Sequence, residues 1–188
     1  MSSQKTNNSF LVEKIALRLN NLPEKQKIKV LDLFHGNGCI WGNIKRLSEK
    51  IIDVSGIDIK EYASFSLTGD NMKVIQSISL EPYDIIDVDA YGCPYEQIKI
   101  ISQKIKSEKI IFYTFIQSMM GSLPFDMFSD IGFSNEMVKK TPVLFSKNGH
   151  DKFLDWISLL GVKQVRFINP TGRKFYGCFV LCPRRNTK

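Results

Sequence analysis

The sequence predicts an α/β domain: a doubly wound, mostly parallel sheet with a C-terminal antiparallel hairpin. Three observations carry that expectation. Short β-rich apolar runs alternate with segments of helical spacing, the signature of strands and helices layered around a largely parallel sheet. The first strong run, KVLDLF, passes Asp32 and breaks into the loop Phe34, His35, Gly36, Asn37, Gly38 before amphipathic spacing resumes. Near the C-terminus, two β-rich runs flank Pro170, Thr171 and Gly172, a hairpin signal.

The elements follow in chain order. Residues 9–20 (SFLVEKIALRLN) place Phe10, Leu11, Ile15, Leu17 and Leu19 near helical spacing, and Pro23 marks the exit, so residues 1–27 read as a helical N-terminal extension. Strands are expected at 28–34, 52–58, 64–68, 83–89 and 109–115, with helices at 40–49, 71–79 and 95–106 between them. Residues 116–149 hold glycines, prolines, Met and Phe and read as an irregular cap over the substrate side, with one short helix. HDKFLDWISLL at 150–160 regains helical spacing and stops at Gly161, and the hairpin strands are 162–169 and 174–181.

Bulk properties bound the function. The chain has 188 residues, 43% hydrophobic and 24% charged, enough for one well-buried core, so a single domain over 1–188 is expected. The N-terminus MSSQKTNNSF lacks the phases of a secretory signal, and no apolar run approaches the roughly 20 residues of a membrane span, so a cytosolic protein without a membrane partner is expected. Cys39, Cys93, Cys178 and Cys182 form no CxxC, and with only His35 and His150 beside them they make no zinc pattern, so reduced thiols and no metal are expected. The net charge of +7 and pI near 9.2 favour encounter with a polyanion such as RNA or DNA. The local basic features are Lys139 and Lys140, Arg173 and Lys174, and the tail Arg184, Arg185 and Lys188.

In a doubly wound sheet, ligands bind beyond the carboxyl ends of the strands, beside the switch in strand order, where the first loop belongs. Gly36 and Gly38 can adopt backbone geometries that bulkier residues resist and let a ligand lie against the main chain, while the next helix offers unpaired N–H groups to an anion. The loop lacks a dinucleotide fingerprint, since Trp41 stands where GxGxxG needs its third glycine, and there is no Walker Gly-Lys-Ser/Thr. The pattern Asp32, Phe34, Gly36, Gly38 resembles the DxFxGxG form of motif I in class I S-adenosylmethionine-dependent methyltransferases, notably those acting on nucleic acid. That resemblance implies a Rossmann-like fold and S-adenosylmethionine as cofactor. It also implies that Asp58, closing GID on the second strand, accepts the ribose hydroxyls, and that Asp70 in TGDN, with Asn71, meets the adenine amine. Between Asp58 and Asp70 there is hardly room for the helix this family places there, so the sheet flank is expected to be abbreviated after the second strand.

YDIIDVDAYGCP, residues 83–94, puts Asp87 and Asp89 on one side of an apolar strand, and two carboxylates leaving such a strand are costly unless solvated or partnered. D-V-D-A-Y-G-C-P resembles motif IV of the tRNA guanine-N2 dimethyltransferase family, D-x-D-P-[YF]-G-S-P, with Ala90 for the proline and Cys93 for the serine. The likeness runs over residues 28–115. It implies methyl transfer to a nitrogen of an RNA base, tRNA-type substrates preferred, with Asp89 holding the amine and receiving its proton, Asp87 orienting the loop or contacting the cofactor, and Tyr91 stacking on an unstacked base.

Two other readings stay open. Cytosine-C5 enzymes share a DLF-type first motif, but their nucleophile follows a Pro-Pro pair, whereas Cys93 precedes Pro94, so Cys93 is expected to be a small loop residue. A degenerate amino-methyltransferase signature at Asp89 and Tyr91 keeps DNA as an alternative acceptor, and the chain's size keeps a noncatalytic cofactor- or RNA-binding subunit, with a protein partner, as another. His35 is expected to bond the main chain, Trp41 to pack its helix on the sheet, and Phe115, Gln117, Met119 and Met120 to lie just beyond the fifth strand.

Overall fold

A computed structural model describes residues 10–61, 66–117, 123–143 and 147–183. Met119, Met120, Arg184, Arg185 and Lys188 lie outside the described residues. The elements are α1 (Leu11–Leu19), β1 (Lys27–Asp32), α2 (Cys39–Leu47), β2 (Ile51–Asp58), β3 (Ser66–Thr68), α3 (Asn71–Ser77), β4 (Ile85–Val88), α4 (Tyr95–Lys104), β5 (Lys109–Ile116), α5 (Phe125–Asp130), α6 (Asn135–Lys140), α7 (Gly149–Ser158), β6 (Val162–Ile168) and β7 (Lys174–Leu181).

The strands form one seven-stranded sheet in the order β3-β2-β1-β4-β5-β7-β6. β1 to β5 pair in parallel, and β7 inserts antiparallel between β5 and β6, so the sheet is doubly wound and ends in the expected hairpin. The parallel strands read as near-continuous apolar runs because both faces are covered. On one face Leu31, Ile57, Ile86, Ile111 and Phe179 pack with α3, α4, α5 and α7. On the other, Val30, Ile85, Phe112 and Cys178 pack with Ile15 of α1 and Trp41 and Ile44 of α2, so Trp41 does seat its helix on the sheet.

The flank after β2 is abbreviated as expected: residues 59–65 alone link β2 to its parallel partner β3, where such crossovers take about a dozen residues or more. Three expectations needed adjustment. β4 ends at Val88, so Asp89 stands one residue past the strand, where the chain leaves the sheet. The 116–149 segment holds more than one short helix, α5 and α6 among its described residues; Ser134 caps the latter by accepting a hydrogen bond from Met137 N at 3.3 Å. The hairpin carries a bulge between Lys163 and Arg166, with Gln164 at φ 53°, which periodicity alone does not reveal. None of the described helices is long and apolar enough to cross a membrane.

Candidate active site

Strand order reverses beside β1, between β2 on one side and β4 on the other. The chain leaving β1 stays bonded to both neighbours: Leu33 N–H donates to the Asp87 carbonyl at 3.0 Å and His35 N–H to the Ile57 carbonyl at 2.9 Å. The glycine loop therefore starts at the switch point, at a fixed height above the sheet. Gly36 and Gly38 have φ of 54° and 72°, the left-handed region that favours glycine, and Gly38 is the N-cap of α2.

The bare face of Gly38 serves a side chain of the protein itself. A Cβ on Gly38 would lie 2.9 Å from His35 Nε2, and one on Gly56 would lie 2.3 Å from His35 Cγ, so the imidazole fills the space over both glycines. Its Nδ1 pairs with Asp32 Oδ2 at 2.9 Å, and Asp32 Oδ1 accepts from Phe34 N–H at 3.2 Å. Burial pushes the Asp32 carboxyl up to about 6, against the pull of the His35 hydrogen bond. Asp32 lines neither of the cavities described below and bonds within the loop, and the space over Gly38 accommodates His35, whose imidazole bonds the Asp32 carboxylate rather than the main chain.

Two cavities meet at Phe34. One, ≈ 160 Å³, is lined by Leu33, Phe34, Asp58, Ile59, Asp70 and Asn71. The other, ≈ 200 Å³, has Lys14, Gly36, Asp89, Tyr91, Thr114 and Tyr176 among its walls. In the first, Asp58 accepts backbone N–H bonds from Gly36 and Lys60, each at 2.9 Å, and a carboxylate with about four lone-pair sites can accept further donors. Asp70 caps α3 by accepting from Met72 N–H at 2.8 Å, and Asn71 Nδ2 donates to the Leu33 carbonyl at 3.3 Å, tying that helix start to the glycine loop. The structure therefore brings Phe34, Asp58, Asp70 and Asn71 together.

Asp87 and Asp89 separate. Asp87 is 1% exposed and receives Arg18 Nε at 2.6 Å, Arg18 Nη2 at 2.7 Å and Trp41 Nε1 at 2.8 Å. It anchors α1 and α2 beneath the loop. Asp89 lines the larger cavity, receives Lys14 Nζ at 2.9 and 2.7 Å, and accepts the Thr114 hydroxyl. Burial opposes its charge, but Lys14 and Arg18 nearby and the bonds from Lys14 and Thr114 hold its carboxyl below the usual range. Tyr91, at the cavity rim, is 95% exposed, on a turn where Gly92 has φ 114° and its carbonyl accepts Ile116 N–H at 2.8 Å. Burial pushes the Cys93 thiol up to about 12, which suits a packed loop residue and no nucleophile. Phe115 is buried and Gln117 Oε1 accepts Gly149 N–H at 3.2 Å, whereas Lys174 lines the larger cavity.

Sequence reasoning missed Lys14, Arg18, Thr114 and Tyr176. The signal for the first two was present: in α1, Lys14 and Arg18 stand three and seven residues after Leu11, on the stripe that Ile15 buries. Two cations on an apolar stripe match two acids on an apolar strand. Thr114 and Tyr176 face each other across the β5–β7 pairing, which no local pattern discloses.

The donor set suits the expected cofactor. One cavity offers carboxylates and an amide to hydroxyls and an amine, and the glycine loop leads from it to a second cavity ending at Asp89. Among the described residues, no group of three His, Cys, Asp or Glu could hold a metal ion.

No family model matches the chain, and no curated protein matches it. Solved structures do resemble it. A protein from Methanococcus maripaludis assigned as an S-adenosyl-L-methionine-dependent methyltransferase matches with a TM-score of 0.53 at 12% identity, covering 100% of both chains. A class I S-adenosylmethionine-dependent methyltransferase assignment from Listeria monocytogenes matches at 0.54 and 13% identity over 98% of this chain, and the CurJ carbon methyltransferase at 0.58 and 13% over 92%. The chain spans 62% of the Listeria protein's length and 54% of CurJ's. With its strand order, its switch-point loop and its terminal hairpin, the chain has the Rossmann-like fold of the S-adenosylmethionine-dependent methyltransferases.

Proposed function

We propose that this protein is an S-adenosylmethionine-dependent methyltransferase that acts on a nitrogen of a nucleic-acid base, RNA in preference to DNA. The observation that carries the proposal is the pair of cavities that share Phe34 as a wall: acids and an amide in one, Asp89 and the exposed Tyr91 in the other. The net charge of +7, the likeness of residues 83–94 to motif IV of the tRNA guanine-N2 dimethyltransferase family and Lys174 on the cavity wall support a polyanionic substrate. The four cysteines are free thiols, which suits a reducing compartment, and the cytosol is the proposed setting.

In this reading Asp58 holds the ribose hydroxyls, and Asp70 with Asn71 meets the adenine amine. When bound, the cofactor supplies an electrophilic methyl group on a sulfonium centre. Asp89 accepts an N–H of the target amine and so turns the nitrogen lone pair toward the methyl group; alignment of this kind provides most of the acceleration. A methylated aromatic ammonium is strongly acidic, so a carboxylate kept well ionised still takes its proton. Tyr91 offers a face to a base drawn out of its stack, worth roughly 1–3 kcal/mol.

One observation favours a second reading, a cofactor- or RNA-binding subunit without activity: both oxygens of Asp89 are already engaged by Lys14 and Thr114. Labelled S-adenosylmethionine offered with tRNA, ribosomal RNA, DNA and protein mixtures separates the two. Transfer to RNA that disappears in Asp89→Asn supports the enzyme, and binding without transfer to any acceptor supports the subunit.

A further inference from the structure

Helix α1 carries two cations to the carboxylates of residues 87 and 89. Arg18 is turned inward: besides its paired bonds to Asp87, its Nη1 donates to the Lys14 carbonyl at 3.1 Å, which fixes the turn that carries Lys14. Lys14 stands differently. Its ammonium spans both oxygens of Asp89 and lies 4.9 Å from the centre of the Tyr176 ring, and its side chain, like that of Asp89, is 12% exposed in the wall of the larger cavity. An ammonium only donates hydrogen bonds and a carboxylate only accepts them. Side by side at the reactive end, they present one donor and one acceptor to whatever enters.

Resting on the methyltransferase reading, we infer that Lys14 is a specificity-determining residue: with Asp89 it selects a planar, neutral group that carries an amine N–H directly beside a ring-nitrogen acceptor, the amidine edge of a nucleobase. Such an edge gives its N–H to Asp89 and receives a hydrogen from Lys14, so both charged groups stay satisfied when their mutual contact opens. An alkylammonium, as on a protein lysine, brings a further cation beside Lys14 and Arg18 and offers Lys14 no acceptor. It is rejected by repulsion as well as by the missing bond.

The test uses the full chain as wild type, Lys14→Met and Lys14→Arg. The probes are fluorescein-labelled hexaribonucleotides with one nucleobase among abasic positions: adenine, cytosine or guanine, or 1-deazaadenine, 3-deazacytosine or 3-deazaguanine, which keep the amine and lose the neighbouring ring acceptor. Binding is read by anisotropy with and without S-adenosylhomocysteine. Wild type is expected to bind one natural base about tenfold or more tighter than its deaza partner. Lys14→Met brings that ratio near one, and Lys14→Arg, which keeps a donor, retains most of it. Because it is a ratio within one variant, loss of folded protein does not change it. Equal binding of every natural and deaza pair by wild type overturns the inference, as does a ratio that survives Lys14→Met. So does a tenfold loss of S-adenosylhomocysteine affinity in Lys14→Met with 5′-methylthioadenosine affinity intact, since Lys14 would then hold the amino-acid end of the cofactor. A wild type that binds no S-adenosylhomocysteine defeats the methyltransferase reading, whereas the base ratio measured without it still decides the role of Lys14.

Discussion

Arg18 and Asp87 meet in the protein interior through two parallel hydrogen bonds of 2.6 and 2.7 Å, each side chain 1% exposed. The pair joins the N-terminal helix to the strand that leads to Asp89, and Trp41 of α2 completes it. Removing one partner strands a charge in the interior, which typically costs about 3–5 kcal/mol. Arg18→Met should lower unfolding stability by that order in urea titrations. Adding Asp87→Leu should recover a part, because the stranded charge is then removed while Trp41 Nε1 loses its acceptor.

The imidazole of His35 occupies the space that a side chain on Gly56 needs, with a Cβ there falling 2.3 Å from the ring. Gly56→Ala should therefore destabilise by roughly 1–3 kcal/mol, as overpacking of a dense core does. His35→Ala in the same chain clears the obstruction. The double-mutant cycle should then show a favourable coupling between the two changes, read from urea midpoints.

His150 is 1% exposed, stacked at 3.9 Å on Phe175, and its Nδ1 has no hydrogen-bond partner among the described residues. Burial pushes its pKa down to about 4. The unfolded chain therefore binds the proton more readily, so this group's contribution is complete above about pH 6.5 and is lost as pH falls toward 4. Asp32, raised to about 6, acts in the opposite sense, so the comparison is between proteins at fixed pH. His150→Phe should flatten the decline in thermal midpoint between pH 6.5 and 4.5 relative to wild type; parallel curves would contradict the assignment.

Tyr91 is 95% exposed and packs on little, so Tyr91→Ala should leave stability within about 0.5 kcal/mol of wild type. If the ring stacks on a base worth roughly 1–3 kcal/mol, the acceptor KM should rise about 5- to 150-fold. Tyr91→Phe should behave as wild type. Steady-state kinetics with the RNA acceptor decide it.

The fold was legible because each core strand declares itself. IKVLDLF, YDIIDVD and KIIFYTF are apolar on both faces, as parallel strands covered on both sides must be, and the short connection from β2 to β3 follows from how few residues lie between Asp58 and Asp70. Half of the candidate site was legible for a similar reason, since Phe34, Asp58, Asp70 and Asn71 all sit at or just past strand ends. The other half depends on pairings distant in sequence. That Asp87 belongs to Arg18 and Asp89 to Lys14 is decided by where α1 crosses the sheet, a tertiary fact carried by Ile15 and Trp41 packing. The room over Gly38 and Gly56 likewise belongs to His35 because the loop after β1 folds back over β2, which no pattern of glycines records.

If the cavity of Asp58, Asp70 and Asn71 holds the adenosine end of the cofactor while Asp89 faces the acceptor, calorimetry with S-adenosylhomocysteine separates the two roles. Wild type is expected to bind one equivalent, Asp58→Ala to lose about tenfold or more in affinity, and Asp89→Asn to stay within about twofold while losing turnover. No binding by wild type, or an equal loss in both variants, would overturn this division of roles between Asp58 and Asp89.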